Sequence, residues 1–227
     1  MLISIIIPVF NEAGTIQAIV KKVQSTPYEK EILIIDDGST DGSREQINLI
    51  EGENIKKLFH EKNTGKGSAI QTGWEHATGD IILIQDADME YDPSDYGSLL
   101  DPIIGGKADV VFGSRFLGGG PHRVLFFWHS LGNRFLTLLA NMLNDMNMTD
   151  METGYKVFTR EVQQSLRIKS NRFGFEPEFT AKVARKKFRI YEVPISYYGR
   201  GYKEGKKITW RDGMAALFWI FRYRFFD

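Results

Sequence analysis

Apolar runs recur at intervals along the first half of the chain. Ile3–Val9, Ile32–Ile35, Ile81–Ile84 and Val110–Phe112 are mostly apolar and β-branched. They are continuous rather than alternating, the pattern of strands buried on both faces of a parallel sheet. Helical spacing fills the intervals, around Thr15–Val23, Ser43–Ile50, Gly67–His76 and Ser94–Ile104, and the shorter run Ile55–Phe59 predicts a further strand. Such alternation predicts an open, Rossmann-like α/β sheet with right-handed crossovers. The second half is less regular. The loop Gly118-Gly119-Gly120-Pro121 leads into a helix near Leu125–Asn144. Then come a strand at Tyr155–Phe158, a helix near Glu178–Lys187, a strand at Arg189–Val193 and a last amphipathic helix from about Trp210. No repeat or low-complexity linker divides the chain. The expected organisation is one domain over residues 1–209 and a terminal helix over 210–227 that lies on a membrane surface or at an interface.

A chain of 227 residues can bury a real core, and 42% hydrophobic with 26% charged residues excludes a disordered chain. Cysteine is absent, which removes disulfides, zinc thiolates and cysteine nucleophiles and is compatible with a cytoplasmic setting. The first residues run straight into a strand without a basic segment, so no signal peptide is expected. No stretch reaches the ~20 apolar residues of a spanning helix. Val124–Leu143 is broken by His129, Asn133, Arg134 and Asn141, and Ala215–Phe226 is short and carries Arg222 and Arg224. Acidic and basic residues balance at 29 each, yet residues 160–227 hold 16 Lys and Arg against 7 Asp and Glu, a surplus of +9. The first 159 residues therefore carry −9. An acidic half suited to a metal and a basic half suited to phosphate is one reading; scattered solvated charge is the other. The basic half shows no nucleic-acid-binding motif, and no nucleic-acid partner is expected.

Open α/β sheets bind ligands beyond the carboxyl ends of their strands. Those ends are acidic here: Asn11-Glu12 after the first strand, Asp36-Asp37 after the second, Asp86-Ala87-Asp88 after the fourth. Carboxylates converging on one rim repel unless cations offset them, and a hard divalent metal does so through oxygen ligands. On an extended segment Asp-x-Asp places both carboxylates on one side. The same residues also form ordinary turns and caps, as Asp41 or Ser43 would. Gly65-Lys66-Gly67-Ser68 lacks the remaining P-loop residues, and the calcium-loop pattern beginning at Asp37 has Asn48 where Glu is required.

The strings Ser4–Glu12, Ile34–Ser43, Asn63–Ala69 and Asp86-Ala87-Asp88, in that order, resemble the family 2 glycosyltransferases with the GT-A fold. Val110–Arg115 and Tyr191–Ile195 are similar to the branch holding the dolichyl-phosphate mannosyl- and glucosyltransferases. The resemblance implies a mostly parallel GT-A sheet flanked by helices and a nucleoside-diphosphate sugar as donor. It implies that Pro8, Phe10, Glu12, Ile35 and Asp37 line the nucleoside pocket. Lys66, Asp86, Ala87 and Asp88 would bind the nucleotide sugar, with Mg²⁺ or Mn²⁺ on Asp86 and Asp88. Glu90 stands where the family often has a Gln ligand. It further implies that Arg115 meets phosphate and that Arg200 and Lys206 close a loop over the donor and acceptor phosphates. Asp88, Arg115 and Arg200 would then be the catalytic residues. The branch also has an Arg, with a Ser one turn later, on the helix after Gly-Ser-Arg. Counting places His129 and Asn133 there; a register shift at the glycine loop would bring in Arg134 for the acceptor phosphate.

The function so implied is inverting transfer of a hexose to a polyprenyl phosphate. Such an enzyme works peripherally at the inner face of a membrane, alone, as a homodimer or beside a membrane-spanning partner. A glycan hydroxyl acceptor is the alternative, and it would need a base, for which Asp150, Glu152, Glu176 and Glu178 are candidates. A pyrophosphorylase would want a glycine-rich basic loop after the first strand, where this chain has Pro-Val-Phe-Asn-Glu. A non-catalytic sugar-nucleotide scaffold would not need the acidic pair and the basic loop together. In the terminal helix, aromatics among arginines, Trp219 and Phe225 included, suit an interfacial helix or a packed one.

Overall fold

A computed structural model describes residues 1–118, 123–124, 126–201 and 210–226 of the chain. Seven strands form one sheet: β1 (Ile3–Val9), β2 (Lys30–Asp36), β3 (Ile55–Phe59), β4 (Ile81–Ile84), β5 (Val110–Ser114), β6 (Lys156–Thr159) and β7 (Ile190–Pro194). The order across the sheet is β3-β2-β1-β4-β6-β5-β7. Only β6 runs antiparallel to its neighbours. The remaining strands therefore end on one rim, with Val9 level with Asp36 and Ile6 level with Ile84. The expected α/β, mostly parallel architecture is the one observed.

The continuous apolar runs make sense in this setting. Ile3, Ile5, Ile7 and Val9 face a core layer with α1 (Ile16–Ser25), α2 (Ser43–Asn48) and α4 (Tyr96–Ile104). Ile6, Ile35 and Ile84 face the other layer, shared with α3 (Lys66–His76), α5 (Phe127–Asn144), α7 (Phe175–Arg185) and α8 (Trp210–Phe225). A short helix, α6 (Arg160–Ser165), follows β6. With helices on both faces, either parity of a strand must be apolar. The edge strand β3 is only partly buried and carries Lys56 and Lys57, which discourages further pairing.

Helix α7 starts at Phe175, three residues ahead of the expected Glu178, because Pro177 is tolerated in a first turn that needs no N–H from it. The last helix begins at Trp210, as expected, and packs on α5 and α7. No helix among the described residues is long and apolar enough to cross a membrane.

Candidate active site

The rim loops are laced together before any ligand is considered. Asn11 adopts φ +53°, its N–H donates to Ser39 Oγ (2.9 Å), and its Oδ1 accepts from Thr40 N–H (2.9 Å). Glu12 N–H donates to Ser43 Oγ (2.8 Å), fixing where the Glu12 carboxylate leaves the backbone. Asp36 is buried and forked by Arg44 (3.0 and 3.1 Å), so it supports the loop from behind. Asp37 accepts from Asn63 Nδ2 (2.9 Å), Thr64 N–H (3.0 Å) and hydroxyl (2.9 Å), and Gly65 N–H (2.7 Å), with His60 Nδ1 at 2.8 Å. In this conformation its lone pairs hold the 60–65 loop. Gly38 is required where that loop crosses: its φ is +68°, and a Cβ there would sit 2.5 Å from the Lys62 backbone.

Above the rim lies a cavity of about 720 Å³. Pro8, Val9, Phe10, Asp37, Lys66, Asp86, Ala87, Asp88 and Glu90 line it, together with Arg115, Arg134, Glu152 and Glu176. Beyond Ile84 the chain turns rather than extends, with Met89 at φ +65°, yet both Asp86 and Asp88 still face the cavity. Each is held by a different cation. Lys66 Nζ bridges Asp86 Oδ1 (2.9 Å) and Glu176 Oε1 (3.2 Å). Arg200 pairs with Glu12 (3.0 and 3.1 Å) and Asp88 (3.1 Å), and its Nε lies 3.5 Å from Glu90. Glu90 also accepts from Arg200 N–H (2.8 Å) and Tyr197 hydroxyl (2.9 Å), so here it anchors the start of the Arg200 loop. Burial, then the charges of Asp86 and Glu90, push Asp88 up to about 7 against the pull of Arg200. Burial opposes the Lys66 charge, but Asp86 and Glu176 outweigh it and raise Lys66 above its ordinary value.

On the far side, Asp150 grips Arg115 in a two-pronged pair (2.7 and 2.7 Å) and accepts its N–H as well (3.1 Å). Arg115 and Arg134 both lie over the Phe116 ring, at 5.6 and 5.7 Å. His129, Ser130, Asn133 and Arg134 share the cavity face of α5. Both registers considered from sequence therefore reach the cavity. Among the candidate bases, Asp150 is committed to Arg115. Glu178 is buried, accepting Lys169 and Ser170 N–H (2.8 and 2.7 Å) and pairing with Lys182 (2.6 Å). Glu152 and Glu176 remain open to the cavity.

The Ile35 side chain is fully buried under α3 and is not among the cavity's lining residues, because its strand parity turns it into the core. Trp219 stacks on Tyr223 (5.5 Å) and on Gly174, where a Cβ would sit 3.0 Å from its ring, so it is packed rather than presented. Lys206 lies outside the described residues. Arg172, Phe173 and Tyr197 also line the cavity. Sequence reasoning missed them because long-range packing brings them in. The Gly65-Lys66-Gly67 element is glycine-bearing because the 170–172 backbone crosses it: a Cβ on Gly67 would meet Ser170 O at 2.2 Å.

Comparison with known proteins identifies the family and the fold. The pattern describing Glycosyl transferase family 2 matches residues 4–166. Glycosyltransferase AglJ of Haloferax volcanii is 31% identical over 87% of this chain, which spans 63% of that relative's length. Polyprenol monophosphomannose synthase of Mycolicibacterium smegmatis is 27% identical over 86% of this chain and 77% of its own. Glucosyl-3-phosphoglycerate synthase of Mycobacterium tuberculosis, crystallised with Mn²⁺, UDP and phosphoglyceric acid, superposes with a TM-score of 0.77. That match covers 100% of this chain and 79% of the other at 18% identity, a likeness of fold. An acidic rim, a cavity shared by carboxylates and arginines, and a family pattern across well over half the chain lead to one assignment: the chain belongs to glycosyl transferase family 2.

Proposed function

We propose that the chain moves a hexose from a nucleoside-diphosphate sugar to a polyprenyl phosphate, inverting the anomeric carbon, with Mg²⁺ or Mn²⁺ held at the acidic rim. The donor is UDP-glucose, UDP-N-acetylglucosamine or GDP-mannose. One observation carries the reading, and it concerns α5. Its His129, Ser130, Asn133 and Arg134 line the cavity, while Trp128, Leu131, Phe135, Leu138 and Met142, spaced three and four apart, are exposed. A polyprenyl phosphate divides in the same way, into an anionic head and an apolar tail. An exposed apolar stripe of this length marks an interaction surface, and Phe218, Phe221 and Phe225 of α8 are exposed as well. The surplus of +9 in residues 160–227 adds attraction to anionic lipid. The same reading includes peripheral attachment at the inner membrane face; a relative that is a polyprenol monophosphomannose synthase supports the lipid acceptor.

In this reading Pro8, Val9 and Phe10 receive the base. An oxygen of the acceptor phosphate attacks the anomeric carbon, and the bond from that carbon to the diphosphate oxygen breaks, the leaving nucleoside diphosphate keeping the electron pair. The acceptor is already ionised at neutral pH, so no base is needed. Arg115, Arg134 and Arg200, with Lys206, hold and orient the phosphates. The rim offers hard oxygen donors of the kind a divalent cation takes, and burial, then the Asp86 and Glu90 charges, leave Asp88 short of positive charge, although among the described residues no three ligating groups stand together as they are. Asp86, Asp88 and, once released by Arg200 and Tyr197, Glu90 would hold it, offsetting the charge gained by the leaving diphosphate.

Each radiolabelled donor is offered with polyprenyl phosphate and Mg²⁺ or Mn²⁺. One donor is expected to yield label in the organic phase as a lipid-linked sugar, and EDTA, Asp86→Ala or Asp88→Ala to abolish it. If no donor labels the lipid while a soluble glycan takes the sugar, the hydroxyl-acceptor reading replaces this one. Glu152, pushed up to about 8 by burial and by Glu176, would then be the base to examine.

A further inference from the structure

Carboxylates elsewhere at this site are fully engaged. Asp37, Asp150 and Glu178 each accept several hydrogen bonds. Two carboxyl oxygens lining the cavity are not. Glu152 Oε1 and Glu176 Oε2 are buried and make no hydrogen bond among the described residues. Glu176 is only 4% exposed, and Lys66 takes just its other oxygen. The nearby buried Lys156 does not help, because its ammonium donates to the Met151 and Thr153 carbonyls. A buried carboxyl oxygen left without a hydrogen-bond partner is costly whether the group is ionised or neutral, and a ligand that supplies the partner removes the cost.

The position narrows the ligand. Lys66 joins Glu176 to Asp86, so Glu176 stands one side chain away from the carboxylate proposed to face the diphosphate. An anionic group at this end would confront two carboxylates. The part of the donor that must lie next to the diphosphate, carries no charge and offers several O–H donors is the sugar ring. From this we infer that Glu152 and Glu176 form the subsite that holds and selects the donor hexose, accepting hydrogen bonds from its hydroxyl groups. The inference rests on the transfer reading and names the part of the donor these residues touch. The crowding is consistent with it: burial and the Glu176 charge push Glu152 up to about 8, and burial pushes Lys156 down to about 8. Hydroxyl groups answer the unmet polar demand without adding charge.

The test uses the full chain with Mn²⁺. UDP and GDP binding is measured for the wild type, Glu152→Gln and Glu176→Gln. Then kcat and KM are measured for UDP-glucose, UDP-galactose, UDP-N-acetylglucosamine and GDP-mannose, with circular dichroism to confirm folding. Binding of the bare nucleotide by the wild type checks the transfer reading on its own; without it, that reading fails. With it, each variant is expected to keep nucleotide affinity within about two-fold. Each should lose about ten- to a hundred-fold in kcat/KM for the preferred donor, chiefly through KM, and discriminate less between the glucose and galactose epimers. An equal loss on every donor, with the preference intact and the loss in kcat, would make these residues bases or supports and overturn the inference. So would a matching fall in bare-nucleotide affinity. If one variant fails to fold, the other carries the same comparison.

Discussion

Gly154→Ala isolates how tightly Asp86 is placed. A Cβ built at Gly154 would lie 2.1 Å from Asp86 Oδ2 and 2.9 Å from the Tyr91 ring. Gly154 is not among the positive-φ glycines, so alanine costs no backbone strain and the effect is steric. A carbon and an oxygen need about 3.2 Å, so the carboxylate must retreat by about 1 Å. It cannot do so freely, because Lys66 holds it at 2.9 Å from one oxygen and 3.2 Å from the other. Overpacking of this kind destabilises by about 1–3 kcal/mol. In a chain of this size that is a fall in melting temperature of roughly 2–10 °C. A misplacement of about 1 Å at a reacting centre costs on the order of a hundred-fold in rate. Thermal melts and donor kinetics are compared with Gly132→Ala, an α5 position with nothing within 4 Å of a new Cβ. That control should melt the same or slightly higher. If Gly154→Ala keeps wild-type activity and melting, Asp86 is not held where the cavity geometry puts it.

Three more outcomes can be checked. Arg115→Lys keeps the charge but loses the fork on buried Asp150, so it should destabilise by about 2–3 kcal/mol in urea unfolding and cut turnover; wild-type behaviour in both would refute the clamp. Glu152 has its carboxyl raised from an ordinary 4.5 to about 8, so the wild type loses stability as pH rises through that window. Glu152→Gln should therefore melt higher than wild type at pH 9 and the same at pH 4, and a pH-independent difference would contradict the burial argument. Trp128→Ser with Phe135→Ser should reduce sedimentation with anionic liposomes while leaving nucleotide affinity unchanged. Phe225→Ser should weaken binding less, and Trp219→Ser should instead lower stability, since Trp219 is packed; undiminished liposome binding would assign the α5 stripe to a protein partner.

The sheet was legible because its strands are covered on both faces, which writes nearly unbroken runs such as Ile32–Ile35 into the sequence. The acidic rim was legible for a related reason: carboxylates at the ends of buried strands have no part in the core. What sequence spacing does not carry is who neutralises them. Arg200 reaches Glu12 across 188 positions, and Lys66 reaches Glu176 with β4, β5 and β6 between them in the chain. Asp37 was read as a lining residue, and it is one, but the 60–65 loop that saturates it closes only in three dimensions. Strand parity already turns the Ile35 side chain into the core. For α5, the apolar spacing from Trp128 to Met142 stood in the sequence. Its meaning depended on which stripe the helix turned inward, and Leu136 and Ala140 took that place.

The arrangement of charge also constrains the order of events under the proposed reaction. Each acidic cluster at the rim is met by a basic side chain from the chain itself, Lys66 on Asp86 and Arg200 on Glu12, Asp88 and Glu90. A divalent cation arriving alone would have to displace Arg200 and leave a guanidinium without a partner in a partly buried place, which opposes binding. A diphosphate arriving alone would meet the rim carboxylates before any cation was free to receive it. Arriving together, each would compensate for the other: Asp86 and Asp88 would hold the cation, and Lys66 and Arg200 so released would hold the phosphates. Nucleotide and metal should therefore bind with positive coupling, and Arg200 should be the residue through which it passes. Glu90 also accepts the backbone N–H of Arg200 and the Tyr197 hydroxyl, so the backbone at Arg200 has an anchor independent of its guanidinium. Arg200 is therefore the side chain that, under the proposed reaction, would exchange the rim carboxylates for phosphate.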